Sequence, residues 1–298
     1  MGIMDAAEIT VRTLQYGTGL LGAGVLAALL WAGEKPGRAS RMALALCCGL
    51  LAAGALANGL IFSHAVLDSW PEVFSPDGAV FILTTFDPAL GFLARTILAG
   101  LALGALLVWR GQSGAWAALA LLAAALASFA WTGHAASGEG LQGGLHKAST
   151  VAHILAAAVW LGALGLFLSR LFAPQAASRD YRQRTAQLLS CFSGIGSVAV
   201  AALVITGVTN TVLVAGPGRV MSTLETAYGS WLIVKLALFA GMVGLAALNR
   251  FVLAPALAQR LTDQAAGRIR WAVLVEAGLG AGVVACVAVL GITPPHSG

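Results

Sequence analysis

The sequence predicts an all-α membrane protein: eight transmembrane helices in two parallel four-helix repeats, with both termini on the outer side. Three observations lead there. Of 298 residues 59% are apolar and 10% charged, with a mean hydropathy of +0.87, which excludes a soluble globular enzyme and a disordered chain. The apolar residues gather in eight runs of the roughly 20 residues that a spanning helix needs. The loops between the runs alternate in charge. No ~10-residue segments of alternating polarity appear, so a β-barrel is excluded.

The runs are Thr13–Ala32, Met42–Val66, Pro88–Trp109, Ala115–Gly133, Ala148–Leu168, Gln187–Val214, Ser230–Asn249 and Trp271–Gly291. Ahead of the first, Asp5, Glu8 and Arg12 replace the basic start of a signal peptide, and there is no small-residue cleavage site. That helix is expected to insert and stay. Loops 33–41, 110–114, 169–186 and 250–270 hold twelve of the seventeen basic residues, and the positive-inside rule makes them cytoplasmic. The N-terminus, loops 67–87, 134–147 and 215–229, and the tail hold only Arg12, Lys147 and Arg219 as bases. Both termini are then outside, and the net charge of +5 reflects topology rather than nucleic-acid binding. Trp70, Trp131 and Trp231 fall near the outer boundary, and Trp31, Trp109, Trp116 and Trp271 near the inner one, as interfacial belts do.

An offset of 140 residues pairs Arg95 with Lys235, Gly104 with Gly244, Arg110 with Arg250 and Gly22 with Gly162. Four spans being even, such a repeat is parallel, and a site is sought between its halves. The first half covers 1–125, its fourth helix continuing to about 134, and the second covers 130–295. Gly100 and Gly104 form a small-xxx-small face that lets helices approach closely.

Charges within lipid mark function or snorkel to an interface. Arg95 and Lys235 lie at matching depths, with Asp87 and Glu225 the nearest acids to pair with them. Glu276 is a lone acid in the eighth helix, suited either to proton coupling or to a hydrogen bond with a neighbouring helix. All five histidines, His64, His134, His146, His153 and His296, fall on the outer side, with Met1, Met4 and Met221 as soft ligands there. Imidazole suits copper, zinc and haem iron, and thioether adds preference for Cu(I). The spacing is not that of a zinc finger or a His-Glu-x-x-His protease, and no pattern supports a hydrolase or another enzyme.

The strings Trp131-Thr-Gly-His134-Ala, His153-Ile-Leu-Ala-Ala-Ala-Val-Trp160-Leu-Gly162, Tyr228-Gly-Ser-Trp-Leu-Ile-Val-Lys235 running on to Asn249-Arg250, and the Glu276 helix closing on Thr293-Pro-Pro resemble the copper resistance protein D (CopD) family. The match is clearest over about 130–295. The resemblance implies a multi-pass protein of the bacterial inner membrane that handles copper and passes it inward, often with a periplasmic copper-binding protein of the CopC type. His134 and His153 match the family's motif positions. His64, His146 and His296 are candidate ligands from this sequence alone. Copper entering must also leave. Cys47, Cys48 and Cys191, in the inner thirds of the second and sixth helices, are candidates for a thiol relay, or else small apolar core residues. No disulfide is expected.

A rival reading belongs to a different class. Two histidines from facing helices, such as His64, His134 or His153, with Arg95 and Lys235 for the propionates, would suit haem b in a membrane electron carrier. A third reading is a protein that binds copper outside and transports nothing. ATP-driven pumping by this chain is excluded, because the cytoplasmic loops are too short for a nucleotide-binding domain and no Gly-rich phosphate loop is present.

Overall fold

The computed structural model describes residues 3–216 and 218–295, the side chains of 3–5 and of Ser137 excepted. In chain order the helices are α1 (Ile3–Trp31), α2 (Arg38–Leu67), α3 (Trp70–Val73), α4 (Pro76–Thr85), α5 (Asp87–Val108) and α6 (Gln112–Ala127), which a 3₁₀ turn over Ser128–Trp131 prolongs. There follow α7 (Gly140–Leu171), α8 (Arg179–Ala215), α9 (Val220–Leu224), α10 (Ala227–Leu248), α11 (Ala254–Arg260) and α12 (Asp263–Leu290). Eight helical segments are long and apolar enough to cross a membrane, α10 and α11 counting as one through the π-turn Asn249–Leu253. Each matches one of the eight apolar runs, which ends at most two residues beyond it, and most segments begin well before their run because capping and polar end turns carry the helix past the lipid-soluble stretch. Thr226 and Thr262, for example, accept hydrogen bonds from Gly229 N and Ala265 N at the starts of α10 and α12. The segment expected to be a plain loop over 67–87 forms α3 and α4 instead. Pro71 and Pro76 sit in their first turns, where a missing N–H costs nothing, and Ser75 caps α4.

In the first half α1 packs on α2, α2 on α5, α5 on α6 and α6 back on α1, a closed ring of four. Its core is centred on Leu26, Cys48, Leu51, Ala99 and Leu122, all fully buried. In the second half α8 packs on α7, α7 on α12 and α12 on α10. The faces that α8 and α10 turn toward each other line cavities. These two helices are the least covered: 17% and 11% of their apolar windows are buried, against 56% in α1, so most of their surface meets lipid. The halves join chiefly along α1 and α7, flanked by α1 on α12 and α6 on α7.

The close approach of the halves is a matter of two glycines. A Cβ on Gly24 would lie 1.8 Å from the Ala158 carbonyl oxygen, and one on Gly162 would lie 2.0 Å from the Gly24 carbonyl carbon. Gly100 and Gly104, expected to make such a contact, have nothing within 4 Å of a Cβ. Spacing alone places two glycines on one face but not against a neighbour.

Arg95 is the largest fully buried side chain. Its guanidinium donates to Gln15 Oε1 at 2.9 Å, Thr132 Oγ1 at 2.9 Å and Ser128 Oγ at 3.1 Å, and lies 3.4 Å from the centroid of the Phe129 ring. Gln15 in turn donates to the Gly54 carbonyl at 2.5 Å. One cation thus ties α5 to α1, to α2 and to the end of α6. The expected pairing with Asp87 is not made; neutral oxygens and an aromatic face do that work. Toward the end opposite the termini, Arg170 pairs with Glu34 and Arg182 with Asp263, and Arg41 donates to the Arg110 carbonyl at 2.9 Å.

Two outcomes follow for stability. Gly24→Leu should lower the denaturation midpoint of the detergent-purified protein by the equivalent of about 3 kcal/mol or more, whereas Gly104→Ala should change it by less than about 0.5 kcal/mol. Arg95→Leu, which orphans three buried acceptors, should cost about 3 kcal/mol or more; an unaltered midpoint would show that the network does not hold the ring together.

Candidate functional site

Three cavities run along the second half, each set by local sequence. At the end bearing the termini, a cavity of about 250 Å³ is lined by His134, His146, Glu139 and Gln142. His134 opens a 3₁₀ turn and His146 lies on the second turn of α7. The segment between them folds back tightly, since a Cβ on Gly143 would lie 2.1 Å from the Gly138 carbonyl oxygen and Gly140 adopts a φ of +59°. This glycine-rich fold brings the two imidazoles to one cavity. His134 Nε2 donates to the Leu290 carbonyl at 3.0 Å, which anchors it to the end of α12, and its ring meets Tyr228 edge-on at 5.8 Å.

The middle cavity, of about 420 Å³, lies between α7, α8, α10 and α12 and is lined by His153, Lys235, Tyr16, Phe239 and a wall of aliphatic side chains. His153 Nδ1 is 2.8 Å from Thr206 Oγ1, and the Thr206 hydroxyl donates its one proton to the Ala202 carbonyl at 2.5 Å. Thr206 Oγ1 can therefore only accept from the ring. This fixes the tautomer with the proton on Nδ1 and the lone pair on Nε2, the arrangement of an imidazole oriented to ligate a metal.

The innermost cavity, again about 420 Å³, is lined by Glu276, Asn249, Arg250, Ser193, Ser197 and Phe192 among others. Glu276 is buried. It accepts from Trp160 Nε1 at 2.8 Å on one oxygen and from Asn249 Nδ2 at 2.9 Å on the other. Asn249 opens the π-turn that joins α10 to α11, a local rewinding of the kind frequent at functional sites. Arg250 next to it donates to the Ser193 carbonyl at 3.2 Å and to Ser197. Trp160 lines both the middle and the innermost cavity, with Phe239 edge-on at 5.6 Å. Trp160 thus stands at the partition between them.

The remaining predicted residues lie elsewhere. His64 packs at a tilt against Trp70 of α3, with ring centroids 4.3 Å apart, and lines none of these cavities. Met221 is 75% exposed on α9. Met1, His296 and the side chain of Met4 fall outside the described residues. Cys48 is buried in the first half's core, Cys47 sits beside it against Gly22, and Cys191 is exposed on α8. The three thiols are not gathered, and among the described residues no group of three or more His, Cys, Asp or Glu could hold a metal ion. The four described histidines thus divide into a pair, a deeper single residue and an outlier, because helix rotation as well as depth decides which side chains meet. The haem arrangement is not assembled either: among the described residues no second histidine lines the cavity of His153, and Arg95 is enclosed in the other half. Among the described residues neither Lys235 nor Arg95 pairs with an acid. Sequence reasoning missed Thr206 and Gln15 and noted Asn249 only within a family-like string; none carries a charge, although a buried amide or hydroxyl in a membrane helix also needs a partner.

Residues 186–290 match the family Copper resistance protein D, and residues 3–144 match the Copper resistance protein D-like N-terminal domain. The chain belongs to the copper resistance protein D family. It is 38% identical over 176 residues to Copper resistance protein D of Pseudomonas syringae pv. tomato, covering 58% of this chain and 56% of that protein. To Inner membrane protein YebZ of Escherichia coli (strain K12) it is 33% identical over 166 residues, covering 56% of this chain and 55% of that protein. The chain thus spans a little over half the length of each of these relatives. No solved structure matches it. Membership in the copper resistance protein D family, with eight apolar helices, makes this a multi-pass membrane protein linked to copper resistance.

Trp160→Phe keeps the ring and deletes the N–H, leaving one Glu276 oxygen short of a donor. It should lower the denaturation midpoint by about 1–3 kcal/mol, and the loss should be much smaller when Trp160→Phe is introduced into a Glu276→Gln background. Additive losses would mean that the hydrogen bond does not couple the two side chains.

Proposed function

We propose that this is an inner-membrane copper transporter, not an enzyme, that moves copper from the periplasm to the cytoplasm through its second half. The observation that carries the reading is His153: an imidazole held by Thr206 with its Nε2 lone pair unused, in a cavity between the helices that surround the partition. Its chemistry fits a copper ligand. His134 and His146 receive the ion at the periplasmic mouth, His153 holds it in the middle cavity, and Glu276 with Asn249 lies beyond Trp160 toward the cytoplasm. The basic loops support placing both termini and the His134–His146 mouth in the periplasm, where a CopC-type protein would deliver the copper. Exposed Met221 lies near that surface as a soft ligand for the handover.

Two parallel four-helix repeats fit the same picture. Shifted by 140 residues, α5 (Asp87–Val108) falls on α10 (Ala227–Leu248), and the end of α1 at Trp31 falls on the end of α7 at Leu171. The neighbour relations correspond as well: α1 with α2 and α6 parallels α7 with α8 and α12. The first half reads as the supporting repeat and the second as the working one.

Copper titrated into protein in lipid nanodiscs should bind in a form that His153→Ala abolishes and Thr206→Val weakens by roughly 10–100-fold. His134→Ala should slow copper uptake into liposomes that enclose a copper-sensitive dye. Unchanged binding by His153→Ala would refute the middle site, and bound copper without uptake would leave a binding protein in place of a transporter.

A further inference from the structure

The middle cavity contains a charge that the copper reading does not use. Lys235 lies eight residues inside α10, about 12 Å from its start at the helical rise per residue. Its side chain lines the cavity, yet among the described residues its ammonium makes no hydrogen bond or ion pair. Around it the wall is aliphatic. Several wall residues in the spanning segments are strongly exposed: Val204 is 47% exposed, Val208 61% and Leu236 53%. Cavity-lining residues this exposed, two on α8 and one on α10, mark where the cavity opens sideways between those helices. Few polar groups in a mostly apolar cavity of about 420 Å³ are also what ligand sites of about 300–1,000 Å³ present.

We infer that this opening admits an anionic membrane lipid, whose acidic head pairs with Lys235 while an acyl chain lies along the aliphatic wall of α8 and α10. Charge complementarity selects the head, because a cation surrounded by hydrocarbon costs several kcal/mol unless it is paired. The lateral opening selects the source, since the bilayer is what lies outside it. A cation in lipid without a partner in its own chain is then explained. The lipid would also neutralise the one positive charge that shares the cavity with His153 Nε2. The inference stands apart from the copper reading and is tested without metal.

The test uses the whole chain, purified with a chelator and reconstituted in nanodiscs of equal phosphatidylglycerol and phosphatidylcholine, with retained lipids counted by native mass spectrometry. Phosphatidylglycerol should be held in preference by about fivefold or more. Lys235→Gln should abolish the preference, while Lys235→Arg and the surface control Lys147→Gln should keep it. If Lys235→Gln fails to fold, Val208→Trp, which fills the opening from its exposed side, should abolish it instead. Phosphatidylglycerol carrying a photoreactive group in its acyl chain should label peptides of α8 or α10. Equal retention of the two lipids, a preference that survives whichever of the two variants folds, or displacement by millimolar inorganic phosphate would each overturn the inference, the last by showing a site for a free anion.

Discussion

Everything in the first half depends on satisfying one cation away from water. A bilayer offers no hydrogen bonds to a buried group, so each must find partners within the protein. Arg95 finds three of them, Gln15 on α1 and Ser128 and Thr132 at the end of α6, with the Phe129 face beneath. Because these oxygens come from α1 and from the end of α6, and because Gln15 reaches on to α2, the guanidinium can be satisfied only if the ring closes. Hydrophobic burial cannot supply that specificity, as lipid tails are as apolar as leucine. The polar network gives the four helices one arrangement, and the apolar core fills in around it.

The second half has a cation at the matching position and none of the matching partners. Where α1 carries Gln15, the residue 140 places on is Leu155. Lys235 has no amide to draw α8 and α10 together, and these helices stand apart over two cavities. The closed half and the open half thus differ at a handful of polar side chains rather than in hydrophobic pattern. That difference directs the search for function to the second half, where His153 and Glu276 are also found.

The fold was legible because bilayer thickness is a strong constraint: every apolar run of sufficient length became a spanning helix. Helix ends were less so, since caps such as Thr226 and Thr262 act outside the apolar stretch. Depth was legible too, which is why Arg95, Lys235 and the histidines stood out. Azimuth was not. In helices that are apolar nearly all round, the pattern does not say which way His64 or Gly100 faces; packing decides, and it sends His64 to Trp70 and Gly100 into the open. Glu276 shows the same limit. Its isolation in the sequence left open a hydrogen bond to a neighbouring helix, and only the structure supplies the partners, Trp160 and Asn249, the latter turned inward by the π-turn.

Those partners bear on how the proposed passage is regulated. Trp160 stands between the middle and innermost cavities, and its indole N–H is held by Glu276. On the proposed route an ion leaving His153 for the far side would meet this ring, and displacing the ring would cost Glu276 one of its two donors. A buried carboxylate that loses a donor is costly to leave uncompensated, whereas an approaching cation compensates it directly. The barrier to swinging Trp160 aside is therefore lowest when a cation is present to replace the indole at Glu276, and highest when none is. A partition held in this way would yield more readily to a cation, which replaces the lost donor at Glu276, than to a neutral molecule, which does not.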